Sequence, residues 1–390
     1  MAAPSKRTFG STLWFWAKVG LCLVALDAAL FGTGWFWRLA PLPAASHVAG
    51  STAHGIFRKL ATHRDGEPLA LAVGSSVVRM SIPEPRLERR LRRHDVPSRF
   101  VNLGIDGGHA QDAALTAHVA RERQPWLVIY GVAFRDFMTS EQRALVTRHF
   151  LDSSVDLDVL APESVDEWLS RGVGRYWQLY RYRDLVRGVL DREGSRLGDG
   201  LVPEAHANPL GPINQMTPEE RFSHRGTDTE VFRLWKMWFE SRRWEDYDAY
   251  LRKRPKVAPL YRKRAARKLD LDGNPEVASL EWMLRTQKER GTRVVVIYFP
   301  ENPLFRRPKA AQYFNPEHSD QVADLVERLC AQFGARFVDL RSALDPDAFY
   351  DMVHVNMAGR RRLTQLLAKI IAQEWRAANE AEALRGSRAP

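Results

Sequence analysis

A chain of 390 residues, 45% of them hydrophobic, has enough apolar material for a sizeable core, which excludes a wholly disordered protein. Its 58 Lys and Arg against 47 Asp and Glu leave a formal charge of +11. That balance fits an anionic partner, such as lipid headgroups, an acidic polymer or nucleic acid, or simply solubility with an arginine-rich composition. Two cysteines, Cys22 in an apolar N-terminal run and Cys330 in a predicted helix, exclude a disulfide framework and a cysteine-based metal site.

The first element is the run from Leu13 to Trp37, apolar or small apart from Lys18 and Asp27. It matches the roughly 20 residues needed to cross a bilayer core. Trp14 and Trp16 stand at one end and Trp35 and Trp37 at the other, as in aromatic belts. Lys6 and Arg7 precede the run and favour a cytoplasmic N-terminus with the remainder exported; Arg38 at the far end weakens that bias. Two other readings compete. One is a cleaved signal peptide, with small residues around Pro43, Ala44, Ala45 and Ser46; the other is a buried core helix. The length of the run counts against the first and its paired Trp ends against the second. The run is read as a retained single-pass anchor in the cell membrane, with the main domain on the non-cytoplasmic side and the lipid bilayer as first partner. Asp27 is costly at that depth and calls for a partner.

After a linker over 38–63, strands and helices alternate. Leu69 to Val73 is a short apolar run ending at Gly74, as expected for a strand buried on both faces. Arg99 to Leu103 and Trp126 to Tyr130 are the second and third strands, with a predicted helix over Ala110 to Arg123 between them. Asn274-Pro275 starts a helix that Gly291 ends, Arg293 to Phe299 is the fourth strand, and a helix closed by Gly334 leads to the fifth, Arg336 to Asp339. A last helix runs from about Ala358 to Ala378. This order predicts an α/β, doubly wound, flavodoxin-like five-stranded parallel sheet formed by 64–138 and 274–378. Residues 139–273 form a helical insertion or lid, rich in Trp and Tyr, and 379–390 a loose tail. Residues 1–12 form a cytoplasmic N-terminal segment.

Ligands of such sheets sit beyond the carboxyl ends of the strands. There the first strand ends in Gly74-Ser75-Ser76, the second in Asn102 to Gly107, and the third in Gly131-Val132-Ala133-Phe134-Arg135-Asp136. Before the last helix stand Asp351 and His354, three apart. A serine entering a helix presents its hydroxyl to the crevice and its own N–H to a developing oxyanion. An Asp at this spacing can fix a histidine tautomer, leaving Nε2 as general base. Each motif alone is common in turns, and a lone histidine is more often structural than catalytic. Their joint order carries the reading.

That order resembles the SGNH (GDSL-type) esterase and acyltransferase superfamily, over roughly 66–138 and 275–375. The resemblance makes Ser76 the nucleophile, with His354 and Asp351 completing a triad. It makes the Ser76 N–H, Gly107 and Gly104 the oxyanion donors, and it places Ser75 where the family has Asp. The family's third-block Asn is missing, and Arg135 stands in that loop as a candidate anion contact. Arg135 and Ser75 are taken as substrate-binding residues. The anchor, the Ser-Ser block and the insertion look more like the membrane-anchored subset that includes the D-alanine transfer protein DltD and polysaccharide O-acetylation proteins. This resemblance implies a covalent acyl-serine intermediate, an acyl donor and a glycopolymer acceptor in the cell envelope, and a membrane-bound O-acyltransferase among the partners. The alternative is a non-catalytic envelope assembly or polysaccharide-binding protein that kept the fold. The basic run Arg252 to Lys268 is a solvated face or a contact for an anionic polymer or lipid headgroups; beside an N-terminal anchor it does not indicate nucleic acid. The chain carries no phosphate loop, metal-ligand cluster or cofactor fingerprint, so neither a metal nor a cofactor is expected.

Overall fold

A computed structural model describes residues 6–40, 48–63, 66–138, 150, 155, 165–174, 176–183, 185–190, 262, 265–266, 269–306, 314–349 and 352–386. The described residues divide into two compact units, one within 1–62 and 148–208, the other within 63–147 and 209–390.

The larger unit holds the sheet. Its strands are β1 (Leu69–Gly74), β2 (Arg99–Asn102), β3 (Leu127–Val132), β4 (Arg293–Tyr298) and β5 (Arg336–Asp339). All pair in parallel, in the order β2-β1-β3-β4-β5. That is the flavodoxin-like order expected from the alternation of strands and helices. The central strands are buried along almost their whole length, which is why they read as unbroken apolar runs. Edge strand β5 has no fully buried residue and so carries a weaker signal.

In this unit the helices are α4 (Ser76–Ser81), α5 (Glu84–Arg92), α6 (Ala110–Val119), α9 (Pro275–Glu289), α10 (Pro316–Phe333) and α11 (Met357–Gly386). The Asn274-Pro275 start works as expected, and Asn315-Pro316 opens α10 in the same way. The side chains of Asn274 and Asn315 accept from the N–H of Glu276 and Glu317, at 2.9 and 3.0 Å. Helix α11 runs to Gly386, past the expected end at Ala378; the stretch AANEAEALR is rich in strong helix formers.

The smaller unit contains α1 (Lys6–Asp27), a π-helical turn (Ala28–Gly32), α2 (Trp35–Leu39), α3 (Val48–Ala61), α7 (Val165–Val173) and α8 (Gln178–Arg181). Residues Trp14–Gly32 form a helical stretch of 19 residues with mean hydropathy 1.7, long and apolar enough to cross a membrane. The segment read as a linker carries α3. Trp37 is buried rather than lipid-facing, because residues two apart on a helix point to opposite sides; Trp35 stays exposed. Trp37 stacks on Phe57 at 4.4 Å and meets Tyr182 edge-on at 4.9 Å, while Phe57 meets Phe150 at 5.4 Å. Such pairs add roughly 0.5–1.5 kcal/mol each beyond the burial of their area. Phe150 and Tyr182, from the segment read as an insertion, therefore pack with the N-terminal helices. Its other aromatics, Trp235, Trp238, Phe239, Trp244, Tyr247 and Tyr250, lie outside the described residues, as does most of the basic run 252–268.

Candidate active site

The sheet order reverses direction between β1 and β3, and the crevice of a doubly wound sheet opens at that switch point. Gly74 and Gly131 face each other there, in register. A Cβ on Gly74 would lie 2.5 Å from Val78 Cγ2, and one on Gly131 2.3 Å from the same atom. These glycines let α4 sit directly on the strand ends, which holds Ser76 over the switch point.

Ser76 is the first residue of α4 and is buried. Its N–H belongs to the first turn, where no intrahelical acceptor exists. Its Oγ lies 2.9 Å from His354 Nε2, a contact bridging 278 residues of chain. The histidine loop is held from several sides. Asn302 donates its N–H to the Met352 carbonyl at 2.9 Å, and Phe349 pairs with Val355 across an antiparallel bridge. Asn356 is the central clamp. Its Nδ2 donates to the carbonyls of Asp347 and Phe349, and its Oδ1 accepts from the N–H groups of Ala358 and Gly359 at the start of α11. Asp351 lies outside the described residues.

Arg135 sits in a single 3-10 turn, Phe134–Phe137, at the end of β3. Asp136 closes this turn by accepting from the Ala133 N–H at 2.9 Å. The Arg135 guanidinium points at Ser76, with Nη2 3.5 Å from its Oγ, and its buried Nε has no partner among the described residues. Ser75 is buried beside Asp136, where its hydroxyl favours the ionised carboxylate without completing an ordinary hydrogen bond.

The loop after β2 divides the two glycines expected to serve the oxyanion. Gly104 is spent on packing. Its N–H donates to Asn102 Oδ1 at 3.0 Å, and a Cβ there would lie 2.5 Å from the Arg79 backbone nitrogen. The close approach it permits is to α4, which corrects the reading of Gly104 as an oxyanion donor. Gly107 lies in an exposed turn with φ +72°, a conformation that favours glycine. Asn102 locks the loop to α4 by donating from Nδ2 to the carbonyls of Val78 and Ile82, both at 3.0 Å. Arg79 pairs with Asp106 at 2.7 Å across the same junction. Neither Asn102 nor Asn356 has a periodic signature; the only hint is an Asn at a strand end or just before a helix.

Two buried carboxylates lie behind the site. Glu276 accepts from the Gln111 N–H at 2.7 Å, tying α9 to α6. Burial pushes it up to about 8, against the favourable Gln111 N–H and with help from nearby Asp112 and Asp136. Burial also pushes Asp136 up to about 7, opposed by the Ala133 N–H, Arg135 and Ser75. Both folded values lie above the ordinary carboxylate range, so the folded chain holds protons that the unfolded chain releases. Their contribution is complete below about pH 4 and is lost as pH rises towards 8. The melting temperature is accordingly expected to fall between about pH 5 and 8, and Glu276→Gln, which keeps an acceptor for Gln111, to fall less steeply. Equal slopes for the two proteins in calorimetry would contradict this.

Fold and site together define a doubly wound α/β protein with a serine–histidine pair at its switch point. No protein-family model matches the chain, and no curated protein matches it. It is similar to the solved structure of a proposed acylhydrolase from Bacteroides fragilis, with 10% identity, coverage of 81% of this chain and 94% of that chain, and a TM-score of 0.37. It is also similar to that of an acetylxylan esterase from Geobacillus stearothermophilus, with 13% identity, coverage of 79% and 94%, and a TM-score of 0.36.

Proposed function

We propose that this chain is a membrane-tethered serine esterase or acyltransferase that works through an acyl-Ser76 intermediate. The 2.9 Å contact between Ser76 Oγ and His354 Nε2 at the switch point carries the reading. His354 Nε2 takes the hydroxyl proton as Ser76 Oγ attacks the acyl carbon. The oxyanion that forms is bonded to the carbon that Oγ attacks. The Ser76 N–H and the Arg135 guanidinium are its donors, Arg135 serving where the family uses its third-block Asn. Collapse expels the alcohol, which leaves with the proton from His354. A second hydroxyl, from water or a sugar, then repeats the sequence and releases Ser76. Asp351 is assigned the role of holding the His354 tautomer.

Transfer to an envelope glycopolymer is the finer reading. A soluble esterase needs no tether, whereas an enzyme charged by a membrane donor does. The helical stretch Trp14–Gly32 and the formal charge of +11 both suit work at an anionic envelope surface. Lys6 and Arg7 ahead of the span favour the main domain on the non-cytoplasmic side, against the opposing charge of Arg38. The test supplies an activated acyl ester to the full-length protein with and without an oligosaccharide acceptor. Ser76-dependent acylated sugar is the expected main product. Free acid as the main product at saturating acceptor makes the protein an esterase, and no Ser76-dependent product of either kind makes it a binding protein.

A further inference from the structure

The smaller unit exposes apolar side chains away from the candidate span. Val165, Trp168 and Val173 of α7 face outward, and so does Tyr176 just beyond it; Trp168 is 63% exposed. At 100° per residue, Val165, Trp168, Leu169, Gly172 and Val173 fall on one side of α7, and Arg171 on the other. This is the pattern of a helix that lies in a membrane surface. We propose that α7 and the Tyr176 turn form a second membrane contact, seated in the headgroup–acyl boundary of the bilayer that α1 enters. The proposal rests on reading Trp14–Gly32 as a span.

The attachment of this segment to α1 sets its depth. Asp27, buried in the smaller unit, accepts from the N–H of Gln178 at 3.1 Å and from the N–H of Leu179. Tyr182 packs on Phe31 and Trp37 at 5.5 and 4.9 Å. The chain just after α7 is thus fixed to α1 five residues, about one helical turn, before the span ends at Gly32. Interfacial helices bury their apolar faces about 5–10 Å into the same boundary. The two backbone donors satisfy the carboxylate that would otherwise make Asp27 costly at this depth. Arg183, stacked on Tyr180 at 4.3 Å, and exposed Arg187 follow directly, and guanidinium groups suit lipid phosphates. The bilayer is favoured over a partner helix because the chain just after this face is fixed to Asp27, in the element read as entering lipid.

The test uses the full-length protein with Cys22→Ser and Cys330→Ser, reconstituted in phosphatidylcholine–phosphatidylglycerol vesicles. A polarity-sensitive fluorophore is placed at Trp168→Cys or, with Trp168 intact, at Val173→Cys. Leu21→Cys reports the span, and Glu289→Cys reports an exposed position of the larger unit. Circular dichroism verifies that each variant folds. Labels at 168 and 173 are expected to emit blue-shifted and to be quenched more by shallow than by deep spin-labelled lipid. The label at 21 is expected to be quenched more by deep lipid, and the one at 289 by aqueous iodide alone. Iodide-accessible labels at 168 and 173 beside a lipid-quenched label at 21 would overturn the second contact and leave the span standing. Labels at 168 and 173 shielded from both iodide and lipid quenchers would assign the face to a protein partner and overturn the proposal. A label at 21 that lipid does not quench would defeat the span reading and this proposal with it.

Discussion

Ser76→Ala and His354→Ala are each expected to lower turnover of an activated ester by about 10⁴-fold or more, with the melting temperature held within a few degrees. Ser76 occupies the first turn of α4, where alanine is equally at home, and the Asn356 clamp fixes the histidine loop without using the imidazole. The effect is therefore chemical rather than structural. Oγ and Nε2 work as one unit, so the double variant is expected to be no slower than the slower single variant. Ser75→Ala separates the two serines. Its hydroxyl is buried against Asp136, so it is expected to change activity far less than Ser76→Ala. An inactive Ser75→Ala beside an active Ser76→Ala would mean that the neighbouring serine is the nucleophile.

Arg135→Ala carries the second-largest expected effect, a loss of about 10²–10³-fold in kcat with KM little changed. Nη2 stands 3.5 Å from Ser76 Oγ, and the buried Nε has no partner among the described residues. Both features suit a group that binds charge formed during the reaction. Arg135→Lys keeps the charge but loses the planar fork, and an intermediate rate is expected. If Arg135 only grips an anionic part of the substrate, KM rises and kcat holds, and the effect disappears with a neutral ester. The same loss of kcat on neutral and anionic esters supports the oxyanion role.

Much of the sheet was legible in the sequence because its central strands are buried on both faces and stand out as apolar runs closed by glycine. The pairing of Ser76 with His354 was legible for a related reason: strand ends and the loop before the last helix must converge on one edge of such a sheet. Gly104 was misread because a glycine after a strand looks the same whether its backbone meets a ligand or, as here, the Arg79 backbone. Arg135 was legible as a cation near the site, whereas its aim at Ser76 depends on the tight turn that Asp136 closes. The packing of Phe150 and Tyr182 against Phe57 and Trp37 was out of reach, because periodicity reports which face of a helix is apolar and not which distant segment covers it. Asp27 called for a partner from sequence alone, but the partners are backbone N–H groups about 150 residues away, which no side-chain pattern can announce.

The most direct test of the central claim is covalent labelling of the full-length protein with a fluorophosphonate probe, followed by mass spectrometry of its peptides. Phosphonylation of a serine hydroxyl by this probe, with loss of fluoride, requires an activated nucleophile, and among serines of the described residues Ser76 alone has an imidazole nitrogen at 2.9 Å. The account predicts one adduct, on Ser76, abolished by Ser76→Ala and slowed by several orders of magnitude in His354→Ala. A folded protein that gains no adduct, or an adduct on another serine that survives Ser76→Ala, would contradict it.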